Sequence, residues 1–200
     1  MHAAAGAQTG GMMRLSTESV AATIGLVYEA AYDPGLWPDA LRAIGGFFGS
    51  SRSCICCVDT RPGATRVRDS VGSSPDPELE TFAAFQATTE SAFFVGMDKW
   101  PTGQVYRRRD IVDEDQFRNC DLWHDWLRPR QMDEAVVGNL AVSGSTLWTL
   151  DVSRMTKFGK FQRQELELLR KMTPHIARAG QIGEALKQTV LTRRFRTACR

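Results

Sequence analysis

The sequence has few histidines and no long apolar run. Its three histidines, His2, His124 and His175, are scattered singly along the chain. No window reaches the roughly 18 uninterrupted apolar residues of a membrane-spanning helix, and the first residues lack the apolar core of a secretion signal. These absences predict a protein that neither crosses nor enters a membrane, so the expected location is the cytoplasm.

Motifs that mark common active sites are also missing. The sequence has no G-x-S-x-G elbow, no glycine-rich phosphate loop between a strand and a helix, and no D-x-D-x-D-G calcium loop. We interpret the acidic runs over residues 110–115 and 121–125 as solvated loops rather than as paired catalytic carboxylates. No enzymatic activity, catalytic residue or cofactor is predicted.

Five cysteines are present, three of them in "CICCVD". Zinc sites typically use two separated ligand pairs, whereas Cys120 and Cys199 each stand alone. The alternative is a buried strand in which Cys54, Cys56 and Cys57 act as small hydrophobic groups. We favour the strand and predict no metal site, and the odd number of cysteines suits a reducing compartment.

Charge is unevenly distributed although the net charge is only +2. Residues 1–153 carry 13 lysines and arginines against 20 acidic residues, whereas residues 154–200 carry 12 against 3. A basic end can bind nucleic acid, but a solvated helix face with an irregular tail explains the same charges more simply. The predicted organisation has four parts: a disordered tail (1–15), one domain (16–160), a linker helix (161–190) and a basic irregular tail (191–200).

Hydrophobic spacing predicts two helices at the start of the domain and two hairpins after them. The first helix runs from about Ser16 to Ala31, and Pro38 lies near the start of the second. "CICCV" and "TRVRDSV" predict one hairpin, and "EAVVGNLAVSGSTLWTLDVSR" predicts another that turns at residues 143–145. A third helix is predicted between the hairpins, from Pro77 onward. Together with the closing helix, this order predicts an α+β domain with a mostly antiparallel sheet.

Aromatic residues are concentrated in residues 96–133, which otherwise predict loops and short helices. Trp100, Tyr106, Trp123 and Trp126 fall within 27 residues. Such a segment can cover the open face of an antiparallel sheet, where a few polar groups in an apolar cavity bind a small molecule. These four residues are the predicted ligand-binding residues, and ordinary core or lid packing is an equally good interpretation of them.

The last helix is predicted to begin near Gln162 and to pair with a second copy of the chain. Its apolar residues alternate three and four positions apart, which is typical of a helix–helix seam. We therefore predict a homodimer, with the seam formed by Leu169, Met172, Ile176, Ala179 and Leu186. Pro174 removes one helical hydrogen bond and predicts a bend beside this seam, and His175 is interpreted as an interfacial or capping residue rather than a catalyst.

Two stretches of the sequence resemble a known family. "VYEAAYDPGLWPDALRAIGGFFGS" (27–50), with its Trp37-Pro38 pair, resembles the N-terminal double helix of bacterial LuxR-type transcriptional regulators that have a GAF- or PAS-like sensory domain. "FQRQELELLRKMTPHIARAGQIGEAL" (161–186), with its Pro-His-x-x-Arg-Ala stretch, resembles the helix that leads from that domain to the output domain. The resemblance covers about residues 16–188 and implies a GAF/PAS-like antiparallel sheet flanked by helices, an unknown small-molecule ligand and a dimer.

The chain departs from this family in two ways. Nothing in it resembles the family's C-terminal helix-turn-helix domain, so the resemblance implies DNA binding only through a domain that these 200 residues lack, as in a truncated regulator. The tryptophan, tyrosine and aspartate pattern that holds acyl-homoserine lactones does not fit residues 96–133, so that ligand is not expected. The predicted function is a small-molecule-sensing regulatory domain, and a stand-alone ligand-binding or protein-interaction module without DNA binding is the alternative.

Overall fold

The computed structural model describes residues 16–50, 52–63, 65–73, 94 and 97–198. Its helices are α1 (Thr17–Tyr32), α2 (Trp37–Gly46), α3 (Arg108–Ile111), α4 (Glu114–Arg118) and α5 (Arg163–Ala198). Its strands are β1 (Arg52–Asp59), β2 (Arg66–Ser73), β3 (Val105–Arg107), β4 (Met132–Ser143) and β5 (Thr146–Met155). The predicted N-terminal tail and the predicted third helix lie outside the described residues.

Local signals fix the ends of the first two helices. The Ser16 hydroxyl accepts a hydrogen bond from the Ser19 backbone N–H at 3.0 Å, and the Ser19 hydroxyl bonds back to the Ser16 N–H, so α1 begins with a reciprocal cap. The side chain of Asp33 accepts from the Gly35 N–H at 3.0 Å and turns the chain after α1. Pro38 lies in the first turn of α2, as predicted, where its missing N–H costs no helical bond.

The described strands form one antiparallel sheet in the order β2-β1-β5-β4-β3. Both predicted hairpins are present, as β1–β2 and β4–β5, and pairing of β1 with β5 joins them into one sheet. The three-residue edge strand β3 was not predicted, because three residues are too few to show a period-two pattern.

One face of the sheet is covered by α1, α2 and α5. The core on this face contains Leu41 and Ile44 from α2 and Ile55, Leu150 and Val152 from the sheet, all of them buried. Because strand side chains alternate between faces, these sheet residues occupy every second position of β1 and β5. The predicted α+β class, with helices packed on an antiparallel sheet and a long last helix, is confirmed.

The long helix α5 belongs to this same core for much of its length. Leu169, Met172, Ile176 and Ala179 are each at most 1% exposed, and all contact the core formed with α1, α2 and the sheet. The prediction that these four residues form a dimer seam is therefore wrong: their three–four spacing buries the helix against its own domain. Leu186, the fifth predicted seam residue, is 39% exposed.

The proline and histidine of α5 lie on different sides of the helix. Pro174 is exposed, and the helix continues past it. The bend predicted at this residue stays a prediction. His175 is half-buried, and its Nδ1 lies 3.1 Å from the Tyr28 hydroxyl. The interface that His175 occupies is thus the internal contact between α5 and α1.

Further along, α1 and α5 come very close together. A Cβ atom added to Gly183 would lie 3.1 Å from the carbonyl oxygen of Ala31, at the end of α1. This approach is possible because glycine has no side chain. Gly183 is therefore the last position of α5 at which we can identify a tight contact with the domain.

The end of α5 differs from the prediction. An irregular tail was expected from residue 191, but helical backbone continues to Ala198. The stretch "LTRRFRTA" loses the apolar repeat yet contains neither glycine nor proline, so nothing in it breaks a helix locally. None of the described helices combines the length and hydropathy that a membrane-spanning helix needs.

Candidate functional site

The second face of the sheet is covered by residues 108–131, which we call the cap segment. It contains α3, α4 and one turn of π-helix at Leu122–Leu127. Val112 and Phe117 of the cap segment join Phe94, Met97 and the side chains that this face of the sheet presents in a second buried cluster. Residues 96–133 were predicted to form loops and short helices, and a cover over the open face of the sheet was one of the two interpretations of their aromatic residues.

The four aromatic residues predicted to bind a ligand fall into two groups. Trp100 and Tyr106 make an edge-to-face contact, with ring centroids 4.2 Å apart, at the β3 edge of the sheet. Trp123 and Trp126 belong to the π-helical turn, where Trp123 is half-buried and Trp126 is 8% exposed. The cavity described below is lined by other residues.

Stacked side chains hold the cap segment in shape. The Asp113 carboxylate caps α4 by accepting from the backbone N–H groups of Asp115 and Gln116. The guanidinium of Arg118 lies 3.9 Å from the centre of the Trp123 ring, which also contacts the Phe117 ring at 5.3 Å. Trp123 is thus packed within the cap segment against Arg118 and Phe117.

The sheet presents an unusual number of buried polar side chains to the cap segment. We call them the polar floor, and they lie at alternate positions of three neighbouring strands. Each is at most 7% exposed. The residues are Arg52 and Cys54 on β1, Asn139 on β4, and Thr149, Asp151 and Ser153 on β5.

The polar floor was not predicted from the sequence. On β5 the apolar residues Leu150 and Val152 alternate with Thr149, Asp151 and Ser153, a pattern that ordinarily means one buried face and one solvated face. The signal that could have revealed the floor was the predicted cover itself. A sheet covered on both faces must bury the polar residues of its middle strand as well as the apolar ones.

Cys54 of the polar floor lies close to Cys56, and its thiol is poorly suited to nucleophilic attack. The sulfur atoms of Cys54 and Cys56 lie 3.4 Å apart. The hydrogen bond with Cys56 and, second, burial hold the pKa of Cys54 well above its ordinary value, which disfavours the reactive thiolate. Among the described residues, no group of three or more His, Cys, Asp or Glu side chains is placed to hold a metal ion.

Two polar side chains in the middle of the floor lie next to each other on neighbouring strands. Asn139 and Thr149 face each other across β4 and β5, and both are fully buried. The Asn139 amide donates to the backbone carbonyls of Met97 at 3.0 Å and Trp100 at 3.3 Å, which ties the chain before β3 to the floor. Within the described part of the chain, Asn139 Oδ1 and Thr149 Oγ1 have no partner.

One end of the floor is charged. The guanidinium of Arg52 donates to Cys54 Sγ at 2.9 Å, and its Nη1 lies 3.9 Å from Asp151 Oδ1. The same carboxylate oxygen accepts a hydrogen bond from the Ser153 hydroxyl at 2.6 Å. A cation, an anion and a hydroxyl are thereby fixed side by side under the cap segment.

Arg108 faces this charged end from the cap segment. Its guanidinium stacks on the Phe117 ring at 3.8 Å and donates to Glu114 Oε2 at 3.0 Å and to the Asp133 carbonyl at 3.3 Å. Between it and the floor lies a cavity of about 30 Å³, which is room for about two water molecules. The cavity is lined by Arg52, Arg108, Phe117, Leu122, Leu127, Met132, Asp133, Glu134, Ala135, Asp151 and Ser153.

Buried, oriented donors and acceptors beside an apolar wall are the arrangement by which proteins bind small molecules. The described site offers the hydroxyl of Thr149 and the amide oxygen of Asn139 in its middle and two guanidinium groups at one end. The arrangement can bind and orient a small polar molecule.

Comparison with known proteins identifies the fold. The sequence matches no family profile and no curated protein sequence. Among solved structures, the VqsR LBD domain from Pseudomonas aeruginosa has a TM-score of 0.61 at 14% identity, over 82% of this chain and 96% of that chain. The GAF domain of a phosphoenolpyruvate-protein phosphotransferase from Coxiella burnetii has a TM-score of 0.53 at 8% identity, over 87% and 99% of the two chains.

A third similar structure is an enzyme. The free methionine-R-sulfoxide reductase from Neisseria meningitidis, solved with its substrate, has a TM-score of 0.51 at 13% identity, over 87% of this chain and 96% of that chain. At such identities the likeness shows a shared fold and leaves ligand and activity open. The chain therefore has a GAF-like α+β fold, as the sequence predicted.

Proposed function

We propose that this domain senses a small molecule bound between the polar floor and the cap segment, as the sensory part of a LuxR-type transcriptional regulator. The observation that carries the proposal is the pair Asn139 Oδ1 and Thr149 Oγ1, fully buried and without partners in the described part of the chain. Leaving a buried polar group unpaired costs about 1–3 kcal/mol. A domain that only needed to fold would gain stability from apolar residues at both positions, whereas a binding site needs the polar groups.

Binding rather than catalysis fits the chemistry of the floor. The group that most resembles a nucleophile, the Cys54 thiol, has a raised pKa and is 1% exposed. A reacting thiol needs an appreciable thiolate fraction and access to substrate. The floor supplies hydrogen bonds and charge, which orient a ligand without transforming it.

The assignment to a LuxR-type regulator is supported by two kinds of likeness. The stretches around Trp37-Pro38 and Pro174-His175 resemble that family, and they form α2 and the part of α5 that packs on the core. The VqsR LBD domain shares the fold. DNA binding would belong to a separate helix-turn-helix domain, so a reading frame for such a domain directly downstream in the genomic DNA would support this part of the proposal, and its absence in all frames would favour a stand-alone binding module.

Ligand sensing can be tested by intrinsic fluorescence. In a screen of small metabolites, a ligand should change tryptophan emission in a saturable way, because Trp123 is packed against Phe117 in the cap segment. The Trp123→Ala variant should lose the response. Trp148→Phe is the matched control, since Trp148 is 40% exposed on the other face of the sheet and should leave the response intact.

A flat response of the folded wild-type protein across a broad metabolite library contradicts ligand sensing. A response that survives Trp123→Ala and disappears in Trp148→Phe would place the ligand on the wrong face of the sheet.

The homodimer is proposed to use α5 beyond Gly183. Upstream of that residue the apolar side of the helix is occupied by the chain's own core, whereas Leu186 is 39% exposed. Sedimentation velocity at micromolar concentration should show a dimer that Leu186→Glu weakens. Gln188→Glu introduces the same residue about 200° around the helix and should leave the dimer intact. A monomer at all concentrations, or equal weakening by both variants, would contradict this interface.

A further inference from the structure

The cavity beside the charged end of the polar floor has two unlike walls. Arg52, Asp151 and Ser153 lie on the sheet side. Arg108 and Phe117 lie on the cap side, and the aliphatic side chains of Leu122, Leu127 and Met132 complete the lining. A molecule bound here would meet both charged and apolar side chains.

The guanidinium of Arg108 is held rigidly in this wall. Its residue is 5% exposed, its plane stacks on Phe117, and its Nε and Nη2 donate to Asp133 and Glu114. Its remaining nitrogen, Nη1, is buried and has no hydrogen-bond partner among the described residues. A cationic N–H donor with fixed direction and no acceptor is ready to bind an oxygen anion.

Arg52 contributes a second positive charge from the opposite wall. Its side chain is 5% exposed, it donates to Cys54 Sγ at 2.9 Å, and its Nη1 lies 3.9 Å from Asp151 Oδ1. The Ser153 hydroxyl beside it is a further polar group in the lining. Two buried guanidinium groups therefore face one small cavity.

We propose that this cavity binds the carboxylate of a small monocarboxylic acid whose apolar body lies against Leu122, Leu127 and Met132. The inference rests on the proposed small-molecule function and names the ligand class for the same site. A carboxylate oxygen can accept a hydrogen bond from Arg108 Nη1, and such a bond is strengthened because both groups are charged.

A dianion such as sulfate or phosphate suits the cavity less well. Three carboxylates, those of Asp133, Glu134 and Asp151, also belong to the lining. Asp133 is paired with Arg118 at 2.9 Å and Glu134 with Arg109, so the local charge is nearly balanced rather than strongly positive. Repulsion by these carboxylates grows with the charge of the ligand, which favours a single negative charge.

The size of the cavity constrains how the acid enters. About 30 Å³ accommodates a group as small as a carboxylate and little more. The body of the acid must therefore displace the π-helical turn Leu122–Leu127, which forms the cap side of the apolar wall. π-Helical turns are uncommon and occur frequently at functional sites. Binding would thus move the segment that carries Trp123.

The test is a binding series on the complete chain. Sodium acetate, butyrate and benzoate have increasing apolar bodies, and acetamide, butyramide and benzamide are their neutral counterparts. At constant ionic strength, thermal unfolding and titration calorimetry should show saturable binding of butyrate or benzoate that is at least tenfold tighter than that of acetate. The amides should not bind, and sulfate should bind at least tenfold more weakly than the best acid.

Two variants and one control locate the binding. Arg108→Gln should weaken binding of the best acid at least tenfold, whereas Arg107→Gln, at a half-buried neighbour that is paired with Asp110 and does not line the cavity, should leave it unchanged. Because Arg108 also ties α3 to the start of β4, a second variant avoids its structural role. Leu127→Ala enlarges the cavity at its apolar wall. The ratio of benzoate affinity to butyrate affinity should therefore rise at least threefold.

Each result decides the proposal. It is overturned if no acid in the series binds saturably, if the amides or sulfate bind as tightly as the acids, or if Arg108→Gln folds and binds normally. If the acids fail while a neutral metabolite gives a Trp123-dependent fluorescence change, the carboxylate inference is wrong and the sensory function stands. If neither acids nor metabolites act on the folded protein, both are wrong.

Discussion

Replacing Thr149 with valine should make the domain more stable and impair its binding site. Valine has nearly the shape of threonine, so Thr149→Val removes the buried Oγ1, which has no hydrogen-bond partner among the described residues, without opening a cavity. An unpaired buried polar group costs about 1–3 kcal/mol. For a domain of this size, each kcal/mol raises the melting temperature by roughly 2–4 °C. A gain of about 2 kcal/mol would therefore raise it by about 4–8 °C.

The matched control is Thr173→Val. Thr173 is also fully buried, but its hydroxyl donates to the Leu169 carbonyl at 2.7 Å. The same chemical change should here cost about 0.5–1.5 kcal/mol, because a satisfied hydrogen bond is lost. Urea and thermal unfolding of the wild type and both variants measure the two effects. If Thr149→Val destabilises the domain as Thr173→Val does, its hydroxyl has a partner and the argument for a polar binding floor fails.

Three further predictions test the remaining features of the domain. Gly180→Ala should stabilise the domain by about 0.5–1 kcal/mol, because a Cβ there meets nothing within 4 Å. Gly183→Ala should increase stability by less, or decrease it, because its Cβ would lie 3.1 Å from a carbonyl oxygen of α1. Urea unfolding compares the two variants, and equal gains in stability would contradict the close approach of the helices. Met172→Ala should lower the free energy of unfolding by about 2–5 kcal/mol at every protein concentration, because Met172 lies in the chain's own core. A loss of stability that disappears on dilution would instead support the predicted dimer seam. The Asp59 carboxylate is hydrogen-bonded to Arg61, which holds its pKa well below the usual range. The stability that the wild type gains over Asp59→Asn should therefore be full above about pH 5 and should shrink as the pH falls below about 4. Urea midpoints measured between pH 3 and 7 check this, and a pH-independent difference between the two proteins would refute it.

The sequence was a good guide to elements that carry their own local signals. Ser16 and Pro38 begin α1 and α2 through capping and a fixed φ angle, and these effects act within a single turn. The alternation in β5 and the turn at residues 143–145 likewise predicted the β4–β5 hairpin. Such features depend on neighbours in the chain, so reading the chain is enough to find them.

Features that depend on what packs against an element were not predictable in the same way. The spacing of Leu169, Met172 and Ile176 is the same whether the helix buries its apolar side in its own domain or in a partner, and the structure shows the first. Thr149 and Asp151 look solvent-facing until a cap segment lies over them. Arg108 is one of three consecutive arginines in the sequence, and only the structure shows that it is the buried one, stacked on Phe117.

The close contact at Gly183 gives the remainder of α5 the geometry of a lever. Up to that point the helix is part of the core, and beyond it the helical backbone continues to Ala198. Those 15 residues extend about 22 Å at the usual rise per residue. A tilt of about 5° at Gly183 would carry the far end through about 2 Å, so a rearrangement too small to disturb the core is enlarged by length alone.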